Sequence, residues 1–212
     1  MQTHELIQDL SAQSFPAPDV RRWALAVWIG GTGLVLALSL ALLPFRQDLH
    51  VRMADGAYRA QTVLSFFAFF VASAVAYRSS FPARLTRRDI LWGWVPPLLL
   101  LALVLYRLTP SAFAAEFAGE LTYRRGGCGV VIFSIGLLES GLLLFLARRG
   151  APTRLGLTAA WIAVAAGGLG LFVTQFFVCY LENAFHLLLW HFAPVFLLIG
   201  ILPRWGNRWL RW

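Results

Sequence analysis

The chemistry available to this 212-residue chain is concentrated in its second half. Cys128 and Cys179 are its only cysteines. After the second of them come Glu182 and His186, at intervals of three and four residues, so a helix there would carry thiol, carboxylate and imidazole on one face. With Cys128 as a fourth ligand, Cys179, Glu182 and His186 could hold a soft or borderline metal ion such as zinc, cadmium or copper. The thiols alone offer two other outcomes: a disulfide stapling two helices, or reaction with oxidants and soft metals. His186 has a plainer alternative, a hydrogen bond inside a helical bundle.

Glu139 is the costliest residue in the chain, because an ionised carboxylate at the centre of a membrane helix costs roughly 2.5–3.5 kcal/mol on insertion scales. It needs a partner or a proton. Counting inward at about 1.5 Å per residue puts Glu139 and His191 at a common depth of ~12–14 Å, which predicts an intramembrane polar pair or one polar pocket lined by both. Gln175, Thr174 and Ser140 are the other groups near enough to extend it. There is no Cys-x-x-Cys pair and no serine, histidine and acid set, so the residues do not suggest an enzyme. Nor do they imply a cofactor beyond the soft metal ion.

These groups must be positioned by helices in lipid. Apolar residues make up 59% of the chain and charged ones only 13%, outside the range of a soluble domain. A hydrocarbon core of roughly 30 Å needs about 20 apolar residues per helix. Six stretches qualify: 23–43, 60–77, 90–106, 130–147, 155–178 and 183–202, and among Asp, Glu, Lys and Arg only Glu139 lies inside one. The fold class is an all-α membrane protein, a bundle of six transmembrane helices (residues 23–212) preceded by a cytoplasmic N-terminal arm (residues 1–22). The first stretch is too long for a secretory signal and no small-x-small cleavage pattern closes it.

The net charge of +8 is carried by Arg, since the chain has no Lys. The Arg residues cluster between apolar runs, not along one amphipathic face, which argues for orientation in a bilayer and against binding nucleic acid. With both termini cytoplasmic, twelve Arg residues fall inside, among them Arg78, Arg148, Arg149 and Arg204, against six outside. Both cysteines then sit at the outer rim.

In the arm, Leu6, Ile7 and Leu10 fall on one side of a short amphipathic helix, with Glu5 and Asp9 on another. It is too short to be stable alone, so it needs a partner groove or the inner leaflet. Between the third and fourth spans, Phe113, Phe117 and Leu121 suggest either an amphipathic surface helix or an ordinary loop. Small residues at Gly30, Gly31 and Gly33, and at Ala163, Gly167, Gly168 and Gly170, let helices approach closely. Pro96-Pro97 and Pro194 should bend or unwind their spans.

Taken in order, Arg125-Gly126-Gly127-Cys128-Gly129, the turn Arg148-Arg149-Gly150-Ala151-Pro152-Thr153-Arg154, Cys179 with Leu189-Trp190-His191 behind it, and the ending Trp209-Leu210-Arg211-Trp212 resemble the NrsF family, the negative regulators of sigma F. The resemblance spans most of the chain; Val178, where relatives are expected to carry His, is one departure. It implies an anti-sigma factor of the bacterial inner membrane that holds an extracytoplasmic-function sigma factor and releases it under heavy-metal or oxidative stress. Cys128 and Cys179 map onto the family's responsive cysteines, while Leu6, Ile7 and Leu10 are the candidate grip on the sigma factor. A reading of a different class is a small proton- or metal-ion transporter using Glu139, His186 and His191.

Overall fold

Lipid-length apolar runs satisfy their backbone only as helices, and the described residues contain six long helical segments and no strand. The structure, a computed structural model, describes residues 20–44, 46–81, 85–108, 127–150, 152–181 and 183–210. The helices are α1 (Val20–Leu42), α2 (Leu49–Arg52), α3 (Gly56–Ser79), α4 (Arg87–Tyr106), α5 (Gly127–Arg149), α6 (Leu155–Val173), α7 (Ala184–His186) and α8 (Ala193–Trp209). Two π-helical segments complete them: Thr174–Val178 prolongs α6, and Leu187–Phe192 joins α7 to α8. Counting α6 and α7–α8 with their π segments, six helices are long and apolar enough to cross a membrane. Leu6, Ile7, Leu10, the 109–126 connection and Glu182 lie outside the described residues.

Helix starts follow local chemistry. At α4, the Thr86 hydroxyl accepts from the Asp89 amide while the Asp89 carboxylate accepts from the Thr86 amide, a reciprocal capping box. At α3, Asp55 accepts from the Ala57 amide. Pro96 and Pro97 lie inside α4, yet it stays one helix from Arg87 to Tyr106 without the unwound turn their missing donors suggest. Tertiary contacts brace that stretch, with the Trp94 ring 4.9 Å from that of Trp161.

Helix α6 is the hub, packed against α3, α5 and α8. Its small residues make this geometry: a Cβ on Gly168 would lie 2.7 Å from the Phe69 amide nitrogen of α3, and one on Gly170 would lie 2.8 Å from the Ile132 carbonyl oxygen of α5. Of the earlier group, Gly31 lies against Leu142, whereas Gly30 and Gly33 face open space. In its most apolar window α6 is 78% buried and α1 only 11%, so α1 is a peripheral helix resting on α5. Leu34, Leu38, Leu91, Leu98, Leu138 and Phe196 are exposed around the outside. Small residues lie inside and large apolar ones outside, so the bundle presents an apolar outer surface.

Contacts sort the connections onto two ends. Arg149 lies over the Trp23 ring at 4.6 Å, Arg78 pairs with Asp89, and the Thr158 hydroxyl donates to the Ser79 carbonyl. These join the start of α1, the turn between α3 and α4, and the turn between α5 and α6. Arg46, Tyr58, Cys128, Cys179 and the α7 histidine occupy the opposite end.

Candidate functional site

The N-terminal turn of α5 carries Cys128, and the chain just beyond the first π segment carries Cys179 in an extended conformation. The Asn183 side chain caps α7 by accepting from the His186 amide at 2.6 Å, which fixes His186 at the head of the last long helix. His191 follows in the second π segment. The four side chains converge: one donor atom from each of Cys128, Cys179, His186 and His191 lies within 4.8 Å of the others. Both cysteines are free thiols. Cys179 Sγ is 3.3 Å from His186 Nε2 and 3.1 Å from the Leu181 carbonyl oxygen. The imidazole rings meet edge-on with centroids 5.4 Å apart, and both are fully buried.

The π segments make this convergence. In an α-helix, residues five apart are separated by about 140° around the axis. The i→i+5 bonding of a π turn brings such residues toward one face, and such turns concentrate at functional sites. His186 and His191 are spaced by five, and the helix between them is π. The first π segment closes with the Cys179 amide donating to the Thr174 carbonyl at 2.8 Å, which positions the thiol. Pro194 stabilises the second irregularity, since it has no N–H to offer the Trp190 carbonyl four residues back. That carbonyl faces Gly129 of α5, where an added Cβ would come within 3.2 Å, so the glycine beside Cys128 lets α5 reach the cluster.

A buried arginine fixes the other side. Arg46 is 1% exposed. It donates to the Cys179 carbonyl, lies over the Tyr58 and Tyr180 rings at 5.0 and 5.3 Å, and pairs with Asp48 at 2.6 Å. The Tyr58 hydroxyl donates to the Gln175 carbonyl at 2.7 Å. Carbonyls at a helix C-terminus lack intrahelical partners and carry the negative end of the dipole, and a cation there answers both. The Arg46 guanidinium holds the Asp48 carboxyl down at about 2. The adjoining Cys128 sulfur, and then burial, push the Cys179 thiol above its ordinary range.

The expected Glu139–His191 pair does not form. Glu139 Oε1 accepts from the Thr32 hydroxyl at 2.8 Å and from Trp28 Nε1 at 3.3 Å, so the carboxylate fastens α1 to the middle of α5. It sits eleven residues beyond Cys128 on α5, roughly 16 Å along the axis, and His191 belongs with the thiols. The depth count failed because it assumed that the fourth and sixth spans begin at one level, whereas His191, well inside the last helix, lies beside Cys128 in the first turn of α5. The groups assigned to a transport path therefore fall into two separate places. Gln175 takes a third role: its side-chain oxygen accepts from Ser65, while Thr174 Oγ1 and Ser140 Oγ have no hydrogen-bond partner among the described residues. Of the expected metal-ligand set, Cys128, Cys179 and His186 come together, and His191 stands where Glu182 was expected to contribute. Arg46, Trp28 and Thr32 were not singled out by sequence. The five-residue histidine spacing followed by Pro194 is the signal that could have revealed His191.

Two thiols and two imidazoles of this spacing, with a buried cation on the neighbouring carbonyl, have the donor set that could hold a metal ion or react with oxidants, at one end of a bundle with an apolar outer surface. Residues 10–212 match the NrsF family, described as negative regulator of sigma F. The chain belongs to the NrsF family. It is 28% identical to "Anti-sigma-F factor NrsF" of Caulobacter vibrioides (strain NA1000 / CB15N), with the whole of both chains covered. No solved structure matches it.

Proposed function

We propose that this NrsF-family protein is an inner-membrane anti-sigma factor that holds an extracytoplasmic-function sigma factor at the cytoplasmic face and releases it when the Cys128–Cys179 centre meets heavy metal or oxidant in the periplasm. The family match across residues 10–212 carries the anti-sigma reading. Twelve of eighteen Arg residues on the side of the N-terminus support a cytoplasmic arm. Leu6, Ile7 and Leu10 of that arm are its grip on the sigma factor, by folding on binding as an amphipathic helix.

Sensing uses thiol chemistry. A soft cation displaces the thiol protons and binds the two sulfurs. A two-electron oxidant such as a peroxide joins the sulfurs in a disulfide, taking both electrons while the two thiol protons leave. Either event alters how the first turn of α5 meets the chain end of α6, where Cys179 lies. The path inward runs through α5 itself, because Glu139 on that helix binds Thr32 and Trp28 of α1, and α1 follows directly on the arm. Helix α1 is peripheral and rests mainly on α5, which also meets it through Arg149 over Trp23 and Leu142 against Gly31, so a shift of α5 repositions it. The bundle is thereby a two-position element whose outer end is read by chemistry and whose inner end presents the arm.

Deleting residues 1–20 tests the reading. Membranes containing the full chain should retain a sigma factor, while the truncated chain should fold into the same helical bundle and retain none. Equal retention by the truncated chain would remove the arm from the mechanism.

A further inference from the structure

We infer that Cys128, Cys179, His186 and His191 form a closed, four-coordinate site for a resident Zn2+ ion. Zn–S bonds of about 2.3 Å and Zn–N bonds of about 2.0–2.1 Å set tetrahedral edges of roughly 3.3–3.8 Å between donor atoms. The Cys179 sulfur and His186 Nε2 already stand 3.3 Å apart, and all four donors lie within 4.8 Å of one another. Closing the set onto one ion therefore needs shifts of about 1 Å or less in side-chain position.

His191 supplies an independent observation. It is wholly buried, and neither ring nitrogen has a hydrogen-bond partner among the described residues. An imidazole so placed loses its hydration without gaining a hydrogen bond in return. A metal ion at the centre of the cluster supplies the missing partner. The charge balances as well: two thiolates neutralise one Zn2+, and neutral histidines complete the sphere, leaving an uncharged centre suited to a buried site at a bilayer rim. Nitrogen and thiolate donors in this two-plus-two set favour zinc over the oxygen-seeking magnesium and calcium. With four protein donors there is no open position for a substrate or an activated water, so the site is structural and regulatory.

The ion would tie the first turn of α5, the chain end of α6 and the start of the last helix through a single point. This deepens the sensing reading above, since a softer ion that prefers thiolate would displace Zn2+ and change the tie. It stands apart from the sigma factor, because metal content is measured on the protein alone, and failure of one does not entail failure of the other.

The test uses the full chain in detergent micelles, stripped with a chelator and titrated with Zn2+ and, for its visible spectrum, Co2+. One Zn2+ per chain is expected, with the intense d–d bands of tetrahedral Co2+ and a sulfur-to-cobalt charge-transfer band. Cys128→Ser, Cys179→Ser, His186→Ala and His191→Ala should each weaken binding by more than about a hundredfold, beyond what the loss of an outer supporting group costs. Glu182→Gln should bind like the unaltered chain. Because a ligand variant could misfold, helicity is measured on each, and the spectrum of the unaltered chain stands by itself. A folded, unaltered chain that takes up no Co2+ with tetrahedral bands would overturn the inference, as would binding that survives His191→Ala or is lost in Glu182→Gln.

Discussion

Substituting Gly170 by alanine probes whether the packing of α6 on α5 sets the geometry of the thiol and imidazole centre. The new Cβ would stand 2.8 Å from the Ile132 carbonyl oxygen and 3.2 Å from its Cα, whereas ordinary contact begins at 3.4 Å. Helix α5 must withdraw by about 0.6 Å, because the obstacle is backbone and no side chain can swing aside. Ile132 lies one turn below Cys128, so the withdrawal carries the thiol with it. Metal–ligand distances are held to about ±0.2 Å, so the displacement is about three times the tolerance. Overpacking of this kind costs about 1–3 kcal/mol. If the strain is relieved only when the ion leaves, that cost appears as a metal affinity weakened by about 5- to 150-fold. Chelator competition on purified protein measures it, with Gly141→Ala on the same α5 as the control, since nothing lies within 4 Å of that position. A Gly170→Ala chain that folds normally and binds metal within about twofold of the unaltered chain would refute the mechanical link between the two helices.

Other outcomes follow from the same contacts. Thr32→Val removes the shorter bond to Glu139 and should loosen α1 by about 1–2 kcal/mol, raising unstimulated sigma-factor release in a membrane pull-down while leaving metal content unchanged. Arg46→Met leaves the Cys179 carbonyl without its donor and Asp48 without its nearest cation, and should lower the thermal midpoint and speed amide exchange at residues 175–181. Asp48 has a folded pKa below its ordinary 3.8, so its contribution to stability is present above that value and is lost as pH falls toward about 2. Asp48→Asn should flatten the acid side of a midpoint-against-pH curve over that window.

Apolar length alone made the six long helices legible, because lipid imposes it on every crossing segment. The helices extend past the apolar runs at several ends, as in Gly56–Ser79 against 60–77, since polar caps such as Asp55 and Thr86 belong to helices but not to runs. Gly168 and Gly170 were legible as close-approach points for the same reason: little else explains paired glycines in an apolar helix. Cys128, Cys179 and His186 could be named as a group, but His191 could not, because α-helical spacing turns it away from His186 and only the π turn brings it back. Glu139 was recognisable as needing a partner. Its actual partners, Thr32 and Trp28, resemble ordinary span residues, and only the docking of α1 on α5 selects them. Arg46 counts in the sequence only as one of the six outer Arg residues, since nothing local shows that a helix C-terminus more than a hundred residues later will bury it.

The central claim is that the two thiols at one end of the bundle govern what the arm holds at the other. Membranes bearing either the unaltered chain or a Cys128→Ser, Cys179→Ser double variant, each with its sigma factor bound, can be exposed to Cd2+ and the released sigma factor measured. The unaltered chain should release its sigma factor and the double variant should retain it. Equal release from both would contradict the claim.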